Sequence, residues 1–162
     1  MGLSCFEQCH CDAAVGSDKS FTAIVTRDWR GELVFAHTKW VETNVPVQAE
    51  AEAINWASQQ VISHNISHAL IESDSKVCIE ALQELDSHVP WRISTIISDK
   101  LRLKALSHNV KYSWVPRDLN RAAHVLAKWS LKNCLAGIFV LVSAPSIFPD
   151  VILLEQNLNI DM

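Results

Sequence analysis

The sequence predicts an α/β domain built on one mixed five-stranded sheet, in which three antiparallel strands join parallel βαβ units and helices flank the sheet. Three observations carry this. Apolar runs of strand length come first and in succession. Helical and strand patterns then alternate. Turn chemistry separates the pieces. Residues 5–12 read as a strand ending at Asp12. Phe21–Val25 and Leu33–Ala36 are two more strands, around a turn at Asp28–Gly31. Pro46 opens a helix, with Ala53, Trp56, Ala57, Gln60 and Val61 at helical spacing. Ala69–Ile71 is a short buried strand running into acids, and Ser75 is placed to cap a helix over residues 75–85. Another helix spans 91–106, with Ile93, Ile96, Ile97, Leu101 and Leu103 among its apolar positions. Residues 110–115 form a strand closed by Pro116.

The last helix, 117–129, has Leu119, Ala122, Ala123 and Leu126 at i, i+3, i+4 and i+7, which makes one apolar stripe. Asp118 serves as its cap and Asn120 lies in its first turn. Another face carries Arg117, Arg121, His124 and Lys128, a row of cations with a histidine among them. After about Cys134 the pattern weakens. The division expected is a domain over 1–134 and an apolar tail over 135–162 that packs on the domain or awaits a partner.

With 162 residues, 49% of them hydrophobic and 20% charged, the chain can bury one sizeable core. The net charge of −4 hides an asymmetry. Residues 1–99 hold 14 of the 18 acids and 6 of the 14 Lys and Arg, whereas residues 100–132 hold 8 Lys and Arg against Asp118 alone. Such a split points to an anionic partner for one face, or to a solvated basic surface. The N-terminus has no basic region followed by an apolar run, so no signal peptide is expected. Phe6 stands where a myristoylation motif wants Ser or Thr. Ile138–Val142, the longest apolar run, is too short to span a bilayer. Five irregularly spaced cysteines suit a reduced, intracellular compartment, with nucleus and cytoplasm not distinguished.

Three carboxylates stand in apolar surroundings. Asp12 precedes "AAV", Glu50 lies in an alanine-rich helix start, and Asp74 ends "ALIESD". Burying one unpaired carboxylate costs several kcal/mol in practice, and burying three together adds repulsion that raises their pKa values as a set. Divalent cations would relieve both. Alternatively each acid is a separate cap or turn residue, and spacing alone does not decide. Cys5, Cys9, His10 and Cys11 are poorly spaced for zinc and read better as small buried hydrophobes beside a core histidine. Trp56, Trp91 and Trp129 read as core and Trp114 as part of the sheet, which leaves Trp29 and Trp40 to meet a ligand.

Taken in order, "CDAAV", "IVTRDWRGELVFA", "VPVQAEAEAINWA", "HALIESDSKVCIEAL" and "WVPRDLNRAAHVLAKW" resemble the type-1 ribonuclease H domain, in the form common in plant proteins derived from retrotransposons. The pieces cover roughly residues 6–132, and "APSIFPDVILL" is similar to the tail of that plant group. The resemblance implies a ribonuclease H-like sheet, and hydrolysis of the RNA strand of an RNA–DNA hybrid with two Mg²⁺ or Mn²⁺ ions. It places the catalytic and metal-holding positions on Asp12, Glu50, Asp74 and His124. Glu50 rather than Glu52 follows from the family's E-A-x-A pattern, and His124 falls where bacterial enzymes carry a fourth acid. Arg117, Asn120, Arg121 and Lys128 are the expected substrate contacts. The chain departs from the pattern at Gln8 and His10, where Lys and Asn are usual, and at Ala23, where glycine is usual. It also lacks the histidine-bearing loop of the bacterial enzymes. Three functions are expected as alternatives: a metal-dependent nuclease acting on nucleic acid as a monomer away from any membrane; a weak or inactive nucleic-acid-binding module of the same fold; and a protein-interaction domain using the tail.

Overall fold

The computed structural model describes residues 6–83, 89–99 and 109–139. Three strands come first: β1 (Phe6–Ala14), β2 (Ser20–Arg27) and β3 (Leu33–Val41). They are followed by α1 (Pro46–Ser63), β4 (His68–Ser73) and α2 (Lys76–Leu82). A 3₁₀ turn, Trp91–Ile93, leads into helical residues 94–99, here α3. Then come β5 (Val110–Trp114), a 3₁₀ turn at Arg117–Leu119, α4 (Arg121–Asn133) and β6 (Gly137–Phe139). The sheet order is β5-β4-β1-β2-β3-β6. β1, β2 and β3 pair antiparallel, while β4 lies parallel to both β1 and β5. These are the five strands of the expected mixed sheet. The short β6 adds a sixth on the outer edge of β3, built from residues just past position 134.

Local chemistry explains the main joints. Between β2 and β3, Asp28 Oδ1 accepts the main-chain N–H groups of Arg30 and Glu32, and Gly31 takes the positive φ of 82° that the turn needs. Pro46 starts α1, where a missing N–H costs nothing. Val45 before it is extended, and its N–H goes to Thr43 Oγ1. Strand alternation sorts side chains into two layers. Cys9, Cys11, Ile24 and Ile71 face α1 and α2 and pack with Ala53, Ile54, Ala57, Val61, Ile79 and Leu82. On the other face, Ala14, Ala23, Val25 and Ala36 pack against Ala122, Ala123, Leu126 and Ala127 of α4. The alanines let α4 approach the sheet closely, and Ala23, in the place of the usual glycine, is fully buried there.

Several expectations need correction. The last helix does not begin at Arg117 with Asp118 as cap. Residues 117–119 form a 3₁₀ turn, and Asn120 is the cap position of α4. Ser75 occupies the cap of α2 but makes no side-chain cap bond; its N–H instead donates to Ser73 Oγ. Trp91 is no core residue, being 77% exposed, whereas Trp114 stands in the sheet as expected, at the end of β5. Residues 84–85 and 100–106 of the expected helices, Cys5 and the tail from 140 onward lie outside the described residues.

Candidate metal and nucleic-acid site

Asp12 comes from the middle layer of the fold. β1 is the central strand, paired on one side with β2 and on the other with β4, and its even-numbered residues face α4. Asp12 is fully buried. Its Oδ1 accepts the N–H of Ala13 at 2.8 Å. Its Oδ2 lies 2.7 Å from His124 Nδ1 on α4. A carboxylate oxygen only accepts, so this places the imidazole proton on Nδ1.

Glu50 sits one turn into α1, beside Ala49, Ala51 and Ala53, whose small side chains let the helix lie close to β1. Asp74 follows the last residue of β4, the strand parallel to β1, so both aspartates emerge near the carboxyl ends of adjacent strands. Ligand oxygens of Asp12, Glu50 and Asp74 all lie within 4.8 Å of one another. Among the described residues no other such group of His, Cys, Asp or Glu occurs. Glu52 is half-buried and does not join it.

The electrostatics of this cluster are unfavourable without a cation. Burial pushes the Glu50 carboxyl well above the ordinary glutamate range, and the charge of Asp12 pushes it further. Burial also raises Asp12, as does the charge of Asp74, while hydrogen bonds from Glu50, Ala13 and His124 hold it down. Each of the two carboxyls thus opposes ionisation of the cluster, chiefly through burial. Glu50 Oε2 is buried and has no hydrogen-bond partner. A hard, oxygen-loving divalent ion fits this donor set: three carboxylates from three elements, with one orphaned oxygen among them.

Asp74 is held from two sides. The Trp114 indole N–H donates to its main-chain oxygen at 3.2 Å, and Arg117 Nε donates to its Oδ2 at 3.0 Å. Sequence reasoning missed the Trp114 contact, because an indole at a strand end gives no sign of what it touches. Arg121 and Lys128 are exposed on α4, on the side of the helix that carries His124.

Asn120 is placed differently from the other expected substrate contacts. Its side chain is fully buried and its Nδ2 donates to the Cys11 main-chain oxygen at 2.9 Å. It ties α4 to β1 one residue before Asp12, and its own carbonyl accepts the His124 N–H, so it registers His124 against Asp12. Asn120→Ala should leave the Cys11 carbonyl without this donor and lower stability by about 1–3 kcal/mol. Thermal melting of the variant checks this, and an unchanged melting temperature would refute it.

Cys9 and Cys78 are buried and make poor nucleophiles. Burial pushes the Cys9 thiol up to about 12 and that of Cys78 to about 11. Gln8 and His10, at the positions that depart from the plant pattern, turn to Glu72: Gln8 Nε2 donates to Glu72 Oε1 at 3.0 Å, and His10 Nε2 lies 3.7 Å from the same oxygen. No helix among the described residues is long and apolar enough to cross a membrane.

Residues 10–130 match the model of the reverse transcriptase-like family. Among curated proteins none matches the chain. Solved structures share its fold at low identity. An RNase H1 from Halobacterium salinarum is 17% identical with a TM-score of 0.73, over 79% of this chain and 98% of that one. The N-terminal RNase H domain of a Mycobacterium tuberculosis protein is 15% identical with a TM-score of 0.71, over 80% of this chain and 96% of that one. An RNase H1 isolated from compost, solved with an RNA/DNA hybrid, is 13% identical with a TM-score of 0.72, over 79% of this chain and 98% of that one.

Proposed function

Because the chain belongs to the reverse transcriptase-like family and has the ribonuclease H fold, we propose that it is an endonuclease that hydrolyses the RNA strand of RNA–DNA hybrids with two divalent ions. The observation that carries this reading is the meeting of Asp12, Glu50 and Asp74 within 4.8 Å, from three separate elements. These three carboxylates would hold the ions, Mg²⁺ or Mn²⁺, which when bound supply an activated water and charge stabilisation for the attacking and leaving oxygens. His124 orients Asp12 through its Nδ1 and borders the same centre. Arg117, Arg121 and Lys128 bring the phosphate backbone to it, since phosphate contacts position a nucleic acid without reading its sequence. All of these groups come from one chain, so the reading needs no second copy. The five sequence pieces that resemble the plant retrotransposon-derived group support that origin.

A labelled RNA–DNA hybrid incubated with the protein and Mg²⁺ or Mn²⁺, beside a filter-binding titration, tests the reading. Cleavage of the RNA strand is the expected result. A hybrid retained on the filter but uncut favours the second reading, a binding module of the same fold. That alternative draws on Gln8 and His10, which engage Glu72 where the plant pattern offers Lys and Asn.

His124 gives a sharper expectation. It offers a nitrogen where an acid would offer oxygen, and Mn²⁺ accepts imidazole more readily than Mg²⁺ does. The wild type should prefer Mn²⁺, and His124→Asp should move the preference toward Mg²⁺. Rates measured against pH in both metals decide it. Superimposable profiles for wild type, His124→Ala and His124→Asp would remove His124 from the site.

A further inference from the structure

Asp74 has two claims on one carboxylate. Its carboxylate belongs to the three-acid cluster, yet its Oδ2 is already bonded by Arg117 Nε at 3.0 Å. The two partners differ in freedom. The Asp74 side chain is 7% exposed, whereas that of Arg117 is 67% exposed. The backbone around both is pinned without the ion pair. Val115 N–H donates to Ser73 O at 3.0 Å, the Trp114 indole donates to Asp74 O at 3.2 Å, and Leu119 N–H donates to Pro116 O at 3.0 Å. The Arg117 side chain, mostly in solvent, is the partner with room to move.

Resting on the metal-and-nucleic-acid reading above, we propose that Arg117 competes with a divalent ion for Asp74, and that this competition couples ion binding to nucleic-acid binding. Without an ion the guanidinium covers Asp74 Oδ2. With an ion on that carboxylate the guanidinium is displaced and its full charge is available to a phosphate. The coupling is reciprocal: a phosphate that draws Arg117 away uncovers Asp74 for the ion. Arginine suits the task because its planar fork pairs equally well with carboxylate and phosphate. Arg117 would then be a gate that keeps the acids quiet until both ligands are present.

The sign of one measurement separates this from a merely supporting role. If Arg117 only held Asp74 in place, its removal would loosen the carboxylate and weaken ion binding. Since Trp114 and the main chain hold the Asp74 backbone independently of Arg117, removing a competitor should strengthen it. The experiment is a calorimetric titration of Ca²⁺, as the probe ion, into the full chain of wild type, Arg117→Ala and Arg117→Gln, with circular dichroism to confirm folding. An exposed ion pair is weak, so both variants should bind Ca²⁺ about two- to fivefold tighter. In the wild type, an RNA–DNA hybrid should tighten Ca²⁺ binding, and both variants should lose part of that gain. Variants with unchanged or weaker Ca²⁺ affinity, or with the wild-type gain from hybrid, overturn the proposal alone. A folded wild type that binds no Ca²⁺ overturns it together with the metal-dependent reading.

Discussion

Asp12→Asn is expected to abolish hybrid cleavage, lowering the rate by about a thousandfold or more, and at the same time to stabilise the metal-free protein. The loss follows from removing the carboxylate that touches both Glu50 and His124; metal-assisted charge stabilisation is worth several kcal/mol, and about 4 kcal/mol is a thousandfold. The gain follows from the same carboxylate's cost. Glu50 has a folded-state pKa raised first by burial and then by Asp12. A raised acid contributes stability that is fully present below its unfolded pKa and is lost as pH rises through the folded one. The metal-free wild type should therefore lose stability as pH rises through the raised value, and Mg²⁺ should restore more of it at pH ~8 than at pH ~5. In Asp12→Asn both the slope and the Mg²⁺ response shrink. Melting curves in chelator and in Mg²⁺ at the two pH values measure this, with cleavage assayed alongside. A variant that melts below the wild type in chelator at the higher pH would show that repulsion among the acids is not what limits stability.

Leu126→Ala costs about 2–5 kcal/mol of stability. Leu126 is 1% exposed, and it is the largest fully buried side chain of the cluster it forms between α4 and the sheet. Its buried neighbours there are Ala14, Ala23, Val25, Ala36, Ala122, Ala123 and Ala127. Alanines on a sheet and a helix cannot rotate to fill a void, so the cavity persists and the loss should lie toward the upper end. The damage should reach the site, because α4 also carries Asn120 and His124 to Cys11 and Asp12. Denaturant unfolding reads the loss as a lower midpoint with unchanged slope. A loss under about 1 kcal/mol would mean that α4 settles inward and closes the hole.

The sheet is legible in the sequence wherever a run has strand length and a turn beside it. Phe21–Val25, Leu33–Ala36 and Ala69–Ile71 all fall inside observed strands, and Asp28 with Gly31 marks the hairpin. Strand ends are less legible, because pairing extends them: β1 runs on past Asp12 to Ala14 through its ladder with β2. The convergence of the acids is only half-readable. Buried carboxylates are visible in the sequence, but the choice of Glu50 over Glu52 comes from the resemblance and not from helical spacing. Asn120 shows the limit most clearly. A polar residue near a helix start reads as solvent-facing, whereas the 3₁₀ turn before it rotates its amide inward onto a strand 109 residues earlier. Trp91 fails in the opposite sense, its helical spacing implying burial where a 3₁₀ turn leaves it in solvent.

The contact between Asp12 and His124 spans 112 residues of chain. Closing a loop of that length costs chain entropy that a local contact does not. During synthesis from the N-terminus, β1, β2, β3 and α1 leave the ribosome with Asp12 and Glu50 already in hand. A nascent chain at that stage has acids but neither Asp74 and its Arg117 cover nor the histidine that fixes Asp12. The order of the elements thus means that the centre is complete only once β5 and α4 have been made.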